Sequence, residues 1–313
     1  MYQGAPIHSR TEEIQTSRLY TTVAALFRGV CIALGILVLL LLPTWSHAEG
    51  GPEIRGKVST GARADFDGRD GSYKSRTYGI DVRYQWFYLD YEHTEYSWKD
   101  YRRTDFSRGN KPWGSMDFLR MGARLNGELN EDGLGWFWDG GLVMGWEEEI
   151  RRSFGLAGSG GLTYQFTPEL SGKIGVWGMA HPAVFRLLPV ASLDWNTPED
   201  PGLSLSLGFP ETMVRYRLEE GFTLRAGAKA DMGERSYRLA DDSHVYRKGY
   251  ITTQGVTAGV YLDAHPVDGL TATFGVEYDM ERKYEIRSNN GNRKETIDVE
   301  NTPSLQFSLG YRF

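Results

Sequence analysis

Apolar and polar residues alternate along most of this chain, in about fourteen runs between residues 54 and 313. The last run is the cleanest. Leu305, Phe307, Leu309, Tyr311 and Phe313 fall on one face of an extended segment, and Gln306, Ser308, Gly310 and Arg312 fall on the other. A period of two marks a β-strand whose faces meet different surroundings. The same period predicts strands over Ile54–Phe66, Arg76–Tyr84, Phe87–Trp98 and Met116–Leu129. Three more follow, carrying Trp136 to Trp146, Leu156 to Phe166, and Leu170 to Val176 on their apolar faces. Then come Pro189–Asn196, Leu203–Phe209, Met213–Leu218, Phe222–Met232, Tyr250–Asp263 and Leu270–Met280, before the terminal strand. In the third strand Phe87, Leu89 and Tyr91 are expected to face outward, because the other register would put Asp90 and Glu92 into lipid.

The connections sort by length. Short turns are predicted near Gln85, Asn130, Thr167, Thr197, Glu219 and His265, and long charged loops over Asp67–Ser75, Lys99–Ser115, Gly233–Gly249 and Glu281–Asn301. A soluble sandwich gives no reason for loop lengths to alternate, whereas an outer-membrane barrel does. The expected fold is an all-β, transmembrane, antiparallel up-and-down β-barrel of about 14 strands. Twelve is the alternative, because Pro210 interrupts the weak stretch Pro189–Leu218 and could fold part of it inward.

Composition narrows the class without deciding it. Thirty-eight glycines, 41 Trp, Tyr and Phe residues and a mean hydropathy of −0.44 exclude a helical membrane protein, which needs runs of about 20 apolar residues. The apolar run Val30–Leu42 follows Arg10, Arg18 and Arg28 and precedes Ser46-His47-Ala48. That is the layout of a signal peptide over 1–48, leaving a barrel domain over 49–313. The single cysteine, Cys31, lies in that run, so no thiolate site or disulfide is expected beyond it. The formal charge of −6 and the absence of a basic patch argue against nucleic acid.

The polar faces collect charge. The expected lumen lining is Arg55, Lys57, Arg63, Arg83, Arg120, Arg124, Glu128, Asp139, Lys173, Asp194, Arg215, Arg225, Lys229, Asp231, Glu277, Asp279 and Arg312, with the two signs nearly balanced. Such groups either cross-link the wall or line a passage. Inward glycines such as Gly122, Gly141 and Gly161 are expected to permit tight curvature. Trp86, Trp136, Trp195, Tyr311 and Phe313 on one rim, and Trp98, Trp146 and Trp177 (with Phe66 and Tyr250) on the other, are expected to form aromatic belts against outer-membrane lipid.

Catalytic signals are thin. Asp241-Asp-Ser-His244 is the one dense group, and Asp90 with His93 is a weaker one. Neither makes a recognisable hydrolase, so no catalytic residue, metal or cofactor is expected.

The segment Leu187-Leu-Pro-Val-Ala-Ser-Leu-Asp-Trp195, with Leu203-Ser-Leu-Ser-Leu-Gly-Phe-Pro210 and Val214-Arg-Tyr216, resembles a family of uncharacterised bacterial outer-membrane β-barrel proteins, a domain of unknown function. The resemblance implies fold and outer-membrane location only. The terminal phenylalanine is similar to the end signature of such barrels, which implies the barrel-assembly machinery as a partner of the C-terminal strand. The expected role is a narrow passive or selective channel for small polar solutes. A surface-exposed barrel with a closed lumen is the alternative, and an outer-membrane hydrolase comes last.

Overall fold

The structure is a computed structural model, and it describes residues 51–197, 202–219, 221–231 and 233–313. The expected signal peptide lies outside these residues. Seventeen strand segments form one sheet that closes on itself, antiparallel except for a single parallel bridge. In chain order they are β1 (Glu53–Gly61), β2 (Ala64–Phe66), β3 (Arg69–Tyr84), β4 (Phe87–Lys99), β5 (Ser115–Glu128), β6 (Leu134–Trp146) and β7 (Phe154–Gln165). There follow β8 (Leu170–His181), β9 (Val184–Asn196), β10 (Leu203–Phe209), β11 (Glu211–Glu219), β12 (Phe222–Asp231) and β13 (Ser236–Arg238). The last are β14 (Tyr250–Val267), β15 (Leu270–Arg287), β16 (Arg293–Val299) and β17 (Thr302–Arg312). Because β2 continues β1, β13 continues β12 and β16 leads into β17, the barrel has 14 staves, an even count of the outer-membrane type.

Closure comes from β1 against β17, in register from Glu53↔Arg312 to Gly61↔Ser304. In a hydrocarbon medium every backbone donor and acceptor needs a partner in the sheet, and only closure removes both edges. Outward faces are apolar over the terminal and middle parts of the staves. Phe185 is 70% exposed, Ile174 67% and Leu156 63%, and similar side chains recur on nearly every stave. A continuous apolar band of this extent is stable against lipid and not against water.

Glycines set the curvature of one wall. Gly122 and Gly141 sit opposite each other across β5 and β6, and Gly161 and Gly175 across β7 and β8. A Cβ at Gly141 would lie 2.0 Å from the Met121 carbonyl oxygen, so the staves bend there too sharply for any side chain.

Several expected boundaries move. The first strand breaks after Gly61, so Ala64 and Phe66 turn inward, and the loop expected over Asp67–Ser75 is a two-residue turn, Asp67-Gly68. The connection expected over His181–Leu188 is strand except for Pro182-Ala183, and β15 and β16 occupy most of the loop expected over Glu281–Asn301. The physical reason is common to these cases. The distal ends of the staves pack their inward side chains against other protein, so they lack the simple greasy-outside, polar-inside alternation. Pro210 joins β10 to β11 as a one-residue link rather than a segment bent into the lumen, so the 12-strand alternative is set aside.

Staves β10 and β11 are short. Ala191 is the last residue of β9 paired with β10, so Val184–Val190 are paired with β8 alone. Pro189, which has no N–H to leave unpaired, sits on this free stretch. Facing it, the chain after β12 crosses the barrel, and Arg238 of β13 bridges in parallel to Trp146 of β6.

Replacing Gly141 with Val is expected to abolish the compact, detergent-resistant barrel seen as a fast-migrating band before heating. The same change at Gly56, where an added Cβ meets nothing within 4 Å, is expected to leave that band intact.

Candidate functional site

The barrel interior is divided along its axis. Toward the end that carries Glu53 and Arg312 it is polar, and toward the opposite, distal end it is apolar. The polar part holds a chamber of about 560 Å³ between β1, β3 and β4 on one side and β11 to β15 with β17 on the other. Its walls carry eight basic and six acidic side chains.

Glu92 is the node of this chamber. Lys57 Nζ donates to Glu92 Oε1 at 2.8 Å and to Asp81 Oδ1 at 3.3 Å. The Arg235 guanidinium donates to both Glu92 oxygens at 3.0 Å, tying the crossing segment to β4. Further round the wall, the Tyr261 hydroxyl donates to Glu277 at 2.8 Å, Thr257 to Asp279 at 2.7 Å, and Arg225 to Asp263 at 2.8 Å. Arg83, Lys229 and Glu211 also line the chamber; their side chains make no hydrogen bond or ion pair among the described residues, although Lys229 and Glu211 stand opposite each other across β11 and β12.

The expected lining residues separate into groups. Arg55, Lys57, Arg83, Arg225, Lys229, Asp231, Glu277 and Asp279 line the chamber. Arg120 and Arg124 share Asp139 at 2.9 and 2.8 Å on the opposite wall, where Arg120 also meets Glu234 at 3.1 Å. Lys173 pairs with Asp194 at 3.0 Å. Glu128, Arg215 and Arg312 occupy inward register positions near the terminal end, and Arg312 bonds Glu53 at 2.7 Å. Arg63 is a correction: it lies in the break between β1 and β2, bonds Ser72 Oγ at 3.0 Å and does not line the chamber.

The distal part is an apolar layer. Its buried members come from twelve of the fourteen staves, all but β10 and β11. Phe66, Tyr96 and Trp98 meet Phe106 and Trp113 of the 100–114 loop, which folds inward, and Tyr73 packs on Phe66, Tyr96 and Trp98; Trp98 and Trp113 stand edge-on at 4.9 Å. Trp98 Nε1 donates to the Trp113 carbonyl at 2.6 Å, fixing that loop in place. Tyr237 and Leu239 of the crossing segment complete the layer beside Val143, Ile251 and Tyr284.

This layer overturns most of the second aromatic belt. Trp98 and Trp177 project inward and pack on the layer, as do Phe66 and Tyr73, and Tyr250 is 1% exposed. Trp146 keeps an outward register but is covered at 5% exposure where the crossing segment meets β6. On the terminal rim Trp86 (55%), Trp195, Tyr311 and Phe313 are exposed, and Trp136 is half-buried. The alternation could not reveal which end of a strand stands in lipid and which surrounds other protein.

Asp90 and His93 lie on opposite faces of β4, so they cannot act together. His93 Nδ1 instead lies 2.8 Å from Asp117 on the outer surface. In the 241–244 group, Asp241 is held by Arg238 at 2.7 Å and Ser243 is buried. Among the described residues no three His, Cys, Asp or Glu side chains converge as metal ligands. Arg235, Glu234 and Tyr237 were not foreseen as interior residues, because the stretch from Gly233 reads as a polar outer loop.

No protein-family model matches the chain, and no curated protein does. Solved structures similar in outline include an outer membrane channel from Pseudomonas putida F1 (9% identity, 85% of this chain and 97% of that one, TM-score 0.43). The KdgM porin in complex with disordered oligogalacturonate (9%, 83% and 99%, TM-score 0.34) and the NanC porin (10%, 84% and 100%, TM-score 0.35) are others. At such TM-scores they add nothing to the architecture already given by the sheet's own hydrogen-bonded closure.

Proposed function

We propose that the chain is an outer-membrane barrel that passes small polar solutes through a narrow, charge-lined lumen, closed at its distal end in this conformation. The observation that carries this reading is the chamber. Its volume of about 560 Å³ lies within the range of small-molecule sites, roughly 300–1,000 Å³, and it is walled by charged side chains. A barrel serving only as an anchor has no use for an open charged interior, since charge away from water is costly unless paired. The Arg83 and Lys229 side chains, which hold no hydrogen bond, are available to a passing solute. By the orientation usual for such barrels, the end with the short turns faces the periplasm.

The apolar layer makes a closed-lumen surface barrel the second reading, since an apolar constriction excludes water and ions. The two readings differ in whether the layer moves. Its inner surface is partly loop: Phe106 and Trp113 belong to 100–114, Tyr237 and Leu239 to the crossing segment.

Planar-bilayer recording separates them. The intact protein is expected to give brief, infrequent openings, and a variant with 102–112 replaced by a short Gly-Ser turn is expected to give larger and steadier ones. A folded variant that stays silent after losing Phe106 removes the channel reading.

Glu92→Ala leaves Lys57 with Asp81 alone and Arg235 with Asp231 alone, at 3.8 Å, and the lost charged hydrogen bonds are expected to destabilise the barrel by about 1.5–3 kcal/mol in denaturant titration. It also unties Arg235, so open time in the bilayer is expected to rise. Glu92→Gln, which keeps hydrogen-bonding capacity, is expected to show a smaller loss of stability.

A further inference from the structure

We propose that the crossing segment is a pH-sensitive latch: residues 238–241 are held against the end of β6 through Glu147 in acid and released as that carboxyl group ionises. Its effect on solutes rests on the channel reading above; the latch chemistry itself does not.

The contacts are local and few. Glu147 N–H donates to the Arg238 carbonyl at 2.9 Å, extending the parallel bridge by one residue. Glu147 Oε2 accepts from Ala240 N–H at 2.9 Å, and Glu149 Oε1 accepts from Asp241 N–H at 3.3 Å. Beyond this point the chain is tied mostly to itself, by Leu239 N–H to the Gly249 carbonyl and Lys248 N–H to the Ala240 carbonyl. Leu239 and Ala240 are buried, so a chain that lifted here would carry part of the apolar layer with it.

The charged surroundings of Glu147 are one-sided. Glu148 and Glu149 stand beside it on its own loop, and Asp242 faces it from the crossing side. The nearby cations Arg238 and Lys248 are both engaged by Asp241, at 2.7 and 3.4 Å. Arg151 and Arg152 follow on Glu147's own loop, with Arg152 beside Tyr250, and no base pairs with Glu147 among the described residues. Burial, with these acidic neighbours, pushes the Glu147 carboxyl up to about 7 against the bond from Ala240, and burial also raises Glu148.

The sign follows from proton counting. In the latched state Glu147 titrates near 7; released into water it titrates near its ordinary 4.5. Between those values the latched state binds more protons, so latching is favoured in acid and lost as pH rises through about 7.

The reporter is Ser243→Cys, a buried position in a stretch with no cysteine between residues 51 and 313. Its reaction with a water-soluble maleimide is measured in the folded, detergent-purified protein at about pH 5.5 and about pH 8. Each rate is divided by that of the same reporter carrying Glu147→Gln, which keeps the acceptor oxygen, cannot ionise, and cancels the thiol's own pH dependence. The ratio is expected to rise on the order of tenfold between the two conditions. A ratio that does not change overturns the latch, whatever the bilayer current does. A rising ratio with no current at either pH upholds the latch and counts against the channel reading alone.

Discussion

A backbone that enters hydrocarbon must satisfy its own hydrogen bonds, and in this chain that requirement is met at one seam, β1 against β17. Nearly everything else follows from the seam. It brings the two ends of the barrel domain to one rim. It forces each stave to show alternate residues to lipid and lumen, so the apolar face is spent outside and the interior receives what remains. It also fixes the total curvature, which is why β5 to β8 place glycine against glycine where the wall turns most sharply.

What remains for the interior differs along each strand. The inward residues of β4 read Tyr88, Asp90, Glu92, Thr94, Tyr96, Trp98 from the terminal to the distal end. Those of β15 pass from Thr273, Glu277 and Asp279 to Tyr284 and Ile286. Charge is thus confined to the level where partners and space for water exist, and aromatic rings to the level where two loops can pack among them. The result is a chamber with a lid, built from the same staves, and two short staves beside β9 where the lid's own segment crosses.

Outward faces were legible because lipid imposes a uniform demand: Leu305, Phe307 and Leu309 alternate with Gln306 and Ser308, and the same pattern recurs stave after stave. The even stave count was legible for the same reason, together with turns such as Asn130–Gly133. The lumen was legible in part. Lys57 and Asp81 follow from register, whereas the tie from Glu92 to Arg235 joins residues 143 apart, through a segment whose polarity suggested solvent. Asp67-Gly68 carried the signal of a tight hairpin, with Gly68 at a φ of 65°, but the polar residues after it disguised a strand already under way. The inward Trp98 and Trp177 were misassigned because a ring near a strand end suits a headgroup or a packed interior equally well. Only the path of the loops decides between them.

A lid of this kind can switch only if the forces on it are comparable. Tyr237 and Leu239 are almost fully buried, and burying a large apolar side chain stabilises by roughly 1.5–3 kcal/mol. Against this, holding an ionised Glu147 in place of a hydrated one costs about 3 kcal/mol at most, from the separation between its latched and ordinary titration points. The ion pair from Arg235 to Glu92 adds a second tether deeper in the lumen, out of reach of Glu147. Ionisation at the rim therefore loosens the segment where it meets β6, while the deeper tether and the 100–114 loop hold the rest. Partial release, widening the distal layer without dismantling the wall, is the motion this balance permits.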